Sequence, residues 1–347
     1  HWWTFDQSNV KIIGLDSNNG YRRDEQIEWL EDVLDATCDN AQIDFVFAEL
    51  HHPHRSELWP DGNTAFTGRV ADSLSLFSSA CGKPSVHFYG HTHGYSRGQR
   101  RDHNHTMVNV ASGGGPIDDW GEYANQTDYE EYSISTDDWG FVVVDVKAGD
   151  EPSFEITRVS RGNDRVSLDN VITDRTTIRR DNQQPETPRA RPLPGAVNAA
   201  CFHLGASSFH DDDDDGHQAS HWQIATTCDD WSAPAAEQWL QAQNKYQGYD
   251  SQAGDDLTDQ RFTDLDPGAD YCWRVRYRDA GLVWSEWSDG TPFRTDGGAH
   301  SNDLLINGGA EDGLTGWTTD EGFLESVGDG ECDGIAPYAG EKYFAIG

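Results

Sequence analysis

Two histidine clusters carry the chemistry that is easiest to read in this chain: His51-His52-Pro53-His54-Arg55 and Gly90-His91-Thr92-His93-Gly94. Neutral imidazole is a good ligand for zinc, iron or manganese. In an extended loop, residues i and i+2 point the same way, so His91 and His93 can present both rings to one small volume. Gly90 and Gly94 remove the Cβ atoms that would stop the backbone curling around it. Neighbouring rings of this kind can serve one cation each in a pair about 3.5–4 Å apart. A different set of candidate ligands is Asp211, Asp213 and Asp215 in the run FHDDDDDGH. Clustered oxygen donors suit Ca²⁺, and a solvated acidic loop is the plainer reading.

The segments before the histidines are the ones that must position them. FVFAEL runs into His51, and KPSVHFYG runs into His91; both read as strands. NVKIIGLDS is a further buried strand. DEQIEWLEDVLDAT spaces Ile27, Leu30, Val33 and Leu34 at helical intervals, with acids in its first turn. GRVADSLSLFSSA is the next helix, and HTMVNVASGGG, WGFVVVDVKA and FEITRVS are later strands. Strands alternating with helices predict a layered α/β sheet, where ligands bind beyond the carboxyl ends of the strands. Cys38 and Cys81 each follow a helix and precede a strand, so both are expected at the opposite sheet edge, joined by a disulfide.

Beyond residue 160 the pattern changes. Residues 161–194 contain QQPETPRARPLPG and read as a stiff, proline-rich linker. Residues 195–296 hold short strands and turns without helical periodicity, and residues 301–347 open a third segment. The pairing of Cys201, Cys228, Cys272 and Cys332 is open at this level. With 61 acidic and 25 basic residues the net charge is −36, which excludes nucleic acid as a natural partner and fits a surface adapted to high salt. Thirteen Trp, one Met and six Cys suit an extracellular protein. The sequence has no apolar run long enough to span a membrane.

The order VKIIGLDS, EQIEWLEDVL, FVFAELHHP, VHFYGHTHGYSRG and VNVASGGG resembles the later half of calcineurin-like metallophosphoesterases, most nearly their purple-acid-phosphatase-like branch. The similarity covers about residues 1–160. It implies that His51 and His91 share one metal and that His93 binds the other, with all three rings converging on one pocket. It places His52 and His54 beside the metals, to grip phosphate or protonate the leaving group. Tyr95 and Arg97 fall where the family has a similar aromatic and arginine, and so become substrate-binding candidates. The family's remaining ligands are an Asp, a Gly-Asp and a Gly-Asn-His that precede this segment. They do not precede His1, so the expectation is a longer polypeptide, the alternative being a catalytic relic.

The middle segment resembles fibronectin type III. LDPGADY, ending at Tyr271, looks like its tyrosine corner, and Arg274, Arg276 and Arg278 are set to interleave with Trp284 and Trp287 of WSEWS, a motif that also resembles cytokine receptors. NDLLINGGAEDGLTGW resembles the opening of jelly-roll carbohydrate-binding-like domains, in which Glu311 would help hold Ca²⁺. The expected fold class is therefore multidomain: a partial α/β layered metallophosphoesterase sheet followed by all-β sandwich modules. The expected function is a secreted phosphoesterase using two divalent or trivalent ions (Fe, Zn or Mn) on a small phosphoester, with β-modules for a glycan, cell-surface or matrix partner. The rival is a non-catalytic extracellular scaffold that reuses the fold.

Overall fold

The computed structural model describes residues 1–297, 324–328 and 342–346. Among the described residues strand outweighs helix. The first strands are β1 (Trp3–Gln7), β2 (Val10–Gly14), β3 (Phe45–Glu49), β4 (Ser85–Tyr89), β5 (Tyr95–Gln99), β6 (His105–Asn109) and β7 (Tyr132–Thr136). β2, β3, β4 and β6 lie parallel in that spatial order, while β5 runs antiparallel between β6 and β7, and β1 antiparallel at the other edge.

Helices α1 (Asp24–Cys38) and α2 (Ala65–Cys81) are the crossovers that parallel strands require. α1 buries Ile27, Leu30 and Leu34, three of the four positions its periodicity predicts, against Val46, Ala48 and Leu50 of the β3 region, and Val33, the fourth, is half-buried. Truncating Leu30 to Ala would leave a cavity costing about 3 kcal/mol. α2 starts where the Thr64 side chain accepts the Thr67 N–H, and ends at Gly82, whose φ of 62° is left-handed. A Cys38–Cys81 disulfide ties the carboxyl ends of the two helices, Cα atoms 5.4 Å apart, as expected.

The other face of the sheet is covered by strands rather than helices. β8 (Trp139–Lys147), β9 (Ser153–Gly162) and β10 (Ser167–Arg179) form an antiparallel sheet in the order β10-β9-β8. Phe154, Ile156 and Ile178 pack from it onto Phe45, Val86 and Tyr95. This corrects two expectations. The layer on this face is all strand, a β-richer arrangement than the expected α/β alternation, and residues 161–194, expected as linker, contain the thirteen-residue strand β10. That strand escaped the hydrophobic pattern because one of its buried positions is Asp174, ion-paired with Arg97, and not an aliphatic residue.

The middle segment contains β11 (Cys201–Gly205), β12 (His217–Ala225), β13 (Ala236–Gln241), β14 (Lys245–Tyr246), β15 (Tyr249–Asp250), β16 (Asp259–Thr263), β17 (Asp270–Asp279) and β18 (Thr291–Arg294). The β11–β16 pair and the sheet β13-β12-β17-β18 enclose a core of Phe202, Leu204, Phe262, Trp222, Trp273 and Val275. The Tyr271 hydroxyl accepts the Asp266 N–H at 3.1 Å, the corner read in LDPGADY. Cys228 and Cys272 are bonded, and Cys201 is disulfide-bonded as well. Arg274 stacks between Trp231 and Trp287, and Arg276 between Trp287 and Trp284, at 4.1–4.5 Å from guanidinium carbon to ring centre; Arg278 lies 5.4 Å over Trp284. The ladder is the expected one with Trp231 added at its end.

Middle and first segments interlock: β14 pairs with β7, and Gln241 reaches Gln99, Ser133 and the Glu130 carbonyl. Two short strands, β19 (Leu324–Gly328) and β20 (Lys342–Ile346), pair antiparallel. The rest of the expected jelly-roll segment, Glu311 included, lies outside the described residues.

Candidate functional site

β3 and β4 are parallel neighbours, so the loops that leave their carboxyl ends emerge side by side. Backbone pairing continues beyond the strands: Leu50 N–H donates to the Phe88 carbonyl at 3.1 Å, and Gly90 N–H to the His51 carbonyl at 3.0 Å. The two histidine loops are thereby locked in register. A tight turn follows, with Thr92 N–H bonded to the Gly90 carbonyl at 2.8 Å, and His91 sits at φ 69°. That is left-handed backbone, which a residue with a Cβ adopts at a cost of about 1 kcal/mol or more. Gly94 is required by space, because a Cβ there would come within 2.3 Å of Leu58 and 2.8 Å of the Thr136 carbonyl.

The outcome is a close pair: His51 Nε2 lies 3.1 Å from His91 Nδ1. His52 completes a trio whose ligand atoms all fall within 4.8 Å of one another. Burial holds the His91 ring below the ordinary imidazole range, helped by His51 and His93, and holds His52 at about 4, helped by His91 and Arg22. Both rings are therefore neutral near pH 7. The donor set suits a single borderline-soft cation: two imidazole nitrogens 3.1 Å apart match adjacent ligands about 2.0–2.1 Å from one metal. It does not suit two cations, which need anionic bridging oxygens, whereas the ligand group among the described residues is all imidazole. The expected pair of ions therefore does not fit this group.

His93 stands outside the trio. Its backbone N–H donates to Asp118 Oδ2 at 2.7 Å, and its Nδ1–H donates to the Pro116 carbonyl at 2.6 Å, which leaves the Nε2 lone pair open. His54 turns toward α2, where only Gly68 gives it room: a Cβ there would sit 2.7 Å from its Nδ1. Burial, with Arg100 and Arg55 nearby, lowers its pKa to about 4. Tyr95 and Arg97 are buried in the interior instead of facing the cleft. Both bind Asp174, the Tyr95 hydroxyl at 2.6 Å and Arg97 through two donors at 2.6 and 2.9 Å. With their polar atoms so engaged they cannot reach a substrate at the strand mouths.

Most oxygens of the Asp cluster are engaged within the protein, although Asp211 Oδ2 is buried without a hydrogen-bond partner among the described residues. Asp211 Oδ1 accepts the backbone N–H groups of Asp213 and Asp215, Asp213 accepts from Gln183, and Asp215 pairs with Arg179.

Three residues at the site carry no motif in the sequence. Ser17 follows β2, and its hydroxyl lies 2.9 Å from His52 Nδ1. Its signal was its place just past the carboxyl end of a parallel strand. Trp59 and Tyr123 form an aromatic wall, the Trp59 ring 5.1 Å from His91 and 6.0 Å from Tyr123. A cleft of about 320 Å³ at the same edge is lined by His51, Glu49, Phe88 and Val110 among others.

No protein-family model and no curated protein matches this chain. Among solved structures, a purple acid phosphatase from yellow lupin (Lupinus luteus) seeds is similar at 18% identity and a TM-score of 0.37. The likeness covers 51% of this chain and 32% of that one, so the chain spans about a third of the phosphatase's length. A structure described as a myokine is similar over 33% of this chain and 99% of its own, at 12% identity and a TM-score of 0.21. The fibronectin(III)-like modules of Clostridium thermocellum CbhA are similar over 42% of this chain and 62% of theirs, at 11% identity and a TM-score of 0.24. These likenesses are coarse, and the side chains themselves carry the functional reading.

Proposed function

We propose that the chain contributes the histidine half of a metal-dependent phosphoester hydrolase. The observation that carries this reading is the 3.1 Å approach of His51 Nε2 to His91 Nδ1 at the carboxyl ends of adjacent parallel strands. These two residues would hold a first-row transition cation, which when bound supplies Lewis-acid polarisation of the ester. His52, neutral and hydrogen-bonded to Ser17, offers an N–H donor beside that position. Trp59 and Tyr123 wall one side. The second cation of the two-metal mechanism, held in part by His93, needs carboxylates from outside the described ligand group.

The division into a phosphoesterase-like segment (1–160), a fibronectin type III-like segment (195–296) and a jelly-roll-like segment from 301 belongs to the same proposal, with the later modules docking the protein on a surface or glycan. The disulfides are compatible with secretion, and no helix among the described residues is long and apolar enough to cross a membrane. The all-imidazole ligand group favours the rival, a non-catalytic scaffold, and one experiment separates them. The full polypeptide, loaded with Zn, Mn or Fe, is given a small activated phosphomonoester and diester at several salt concentrations. Turnover that a chelator and His91→Ala both abolish supports the hydrolase. Silence with metal demonstrably bound leaves the scaffold.

A further inference from the structure

Tyr95 and Arg97, the substrate-binding candidates, are buried on Asp174, which leaves His52 and His54 of the residues expected to meet the substrate. An anionic ester still needs donors at the strand mouths, and the loop between β2 and α1 supplies them. Ser17, itself buried, is the pivot of that loop. Its Oγ accepts the backbone N–H groups of His51 at 3.1 Å and His52 at 2.9 Å. With both lone pairs so used, the hydroxyl proton is left for His52 Nδ1, 2.9 Å away. Nδ1 is then the acceptor, and the proton of the neutral ring sits on Nε2. The carbonyl of the same Ser17 accepts Arg22 Nε at 2.6 Å, which anchors that exposed guanidinium at its base. Among the described residues no hydrogen bond takes the Nη groups of Arg22. The guanidinium acts electrostatically on both His52 and His91, so its charge reaches the histidine trio.

We propose that Ser17, Arg22 and His52 form the anion-recognition arm of this site, with His52 Nε2–H and the Arg22 guanidinium binding the non-bridging oxygens of a phosphate group. Ser17 is a positioning residue that fixes the His52 tautomer and the base of Arg22. The inference rests on the hydrolase reading for its substrate, but its test does not need turnover.

Inorganic phosphate is titrated into the intact 347-residue chain by calorimetry, in high salt to screen the net charge of −36. Arg22→Gln and Ser17→Ala are each expected to weaken phosphate about tenfold, Arg22→Gln while leaving Zn affinity unchanged, and Ser17→Thr is expected to restore phosphate binding. Nitrogen chemical shifts of His52 should report the proton on Nε2 in the parent and a mixture of tautomers in Ser17→Ala. A proton found on Nδ1 in the parent overturns the proposal, as does unchanged phosphate affinity in Arg22→Gln. Arg22 is exposed, so this variant tests the arm even if Ser17→Ala does not fold. Phosphate binding as expected, without any ester hydrolysis by the metal-loaded full polypeptide, keeps the arm and removes the hydrolase. Hydrolysis with unaltered KM in Arg22→Gln does the reverse.

Discussion

Arg278 on β17 donates through Nη1 to the backbone carbonyl of Arg100, 178 residues earlier, at 2.7 Å. The same guanidinium also reaches Gln99 Oε1 and the His103 and Leu282 carbonyls, and it is fully buried. It is the last rung of the Trp–Arg ladder and also the bolt between the first and middle segments. Burial, helped by the neighbouring Arg276 charge, pushes its pKa down to about 9. Arg278→Met should leave several buried acceptors unpaired, at about 1–3 kcal/mol each in the worst case. A loss of stability of about 4 kcal/mol is expected from denaturant unfolding, with Arg278→Lys rescuing little because an ammonium lacks the planar fork. An unfolding midpoint within error of the parent would show that the bolt is idle.

The ladder's interior should matter more than its end. Trp287 is stacked by two guanidiniums and Trp231 by one. Trp287→Ala is expected to cost about 3 kcal/mol and Trp231→Ala about half of that. Equal melting temperatures for the two variants would argue against a stacked ladder.

Metal titration should saturate at one first-row cation per chain. His51→Ala and His91→Ala should each abolish it, because each removes one of the two imidazoles that would hold the cation, and His93→Ala should not. A stoichiometry of two on this chain would mean that carboxylates join the histidines and that the single-cation reading is wrong.

The pH dependence of stability has a defined sign. Burial holds His87 at about 3 and His105, stacked on it, well below its ordinary range. The unfolded chain binds these protons from about pH 6.5 downward, so the stability they confer is present above that value and is lost as pH falls. The limiting slope is about 1.4 kcal/mol per pH unit for each histidine. Glu57, pushed by burial to about 8, acts oppositely and favours the fold as pH falls from about 8 toward the ordinary carboxyl range. Urea midpoints between pH 7 and 5 should therefore fall less steeply in His87→Gln and more steeply in Glu57→Gln. Parallel profiles for all three proteins would contradict these assignments.

Reducing the Cys38–Cys81 bridge, which spans 43 positions, should lower stability by about 4 kcal/mol on the chain-entropy account. Free thiols at both positions in unreduced protein, seen by mass spectrometry, would remove the bridge from the structure.

The parallel strands β2, β3, β4 and β6 and both helices were legible because their apolar residues follow the periods of buried strand and amphipathic helix. β5 and β7, YSRGQ and YSIST, were not, since their buried positions are mostly polar and satisfied by side-chain pairs such as Ser135–Ser96. β10 was hidden by Asp174 in the same way. At the site, the proximity of His51 and His91 followed from strand order. The placement of Tyr95 and Arg97 did not, because Asp174, which draws them inward, lies 77 residues or more away in sequence. The state of the His52 ring was likewise set at a distance, by Ser17, 35 residues upstream.

The left-handed backbone of His91 has an evolutionary consequence. A glycine there would adopt φ 69° freely, and an asparagine nearly so, and either would relieve a burden that histidine carries only to aim its ring. A library of variants selected for heat resistance alone should therefore drift to Gly or Asn at position 91, and a lineage that keeps histidine there is being held by a ligand rather than by the fold.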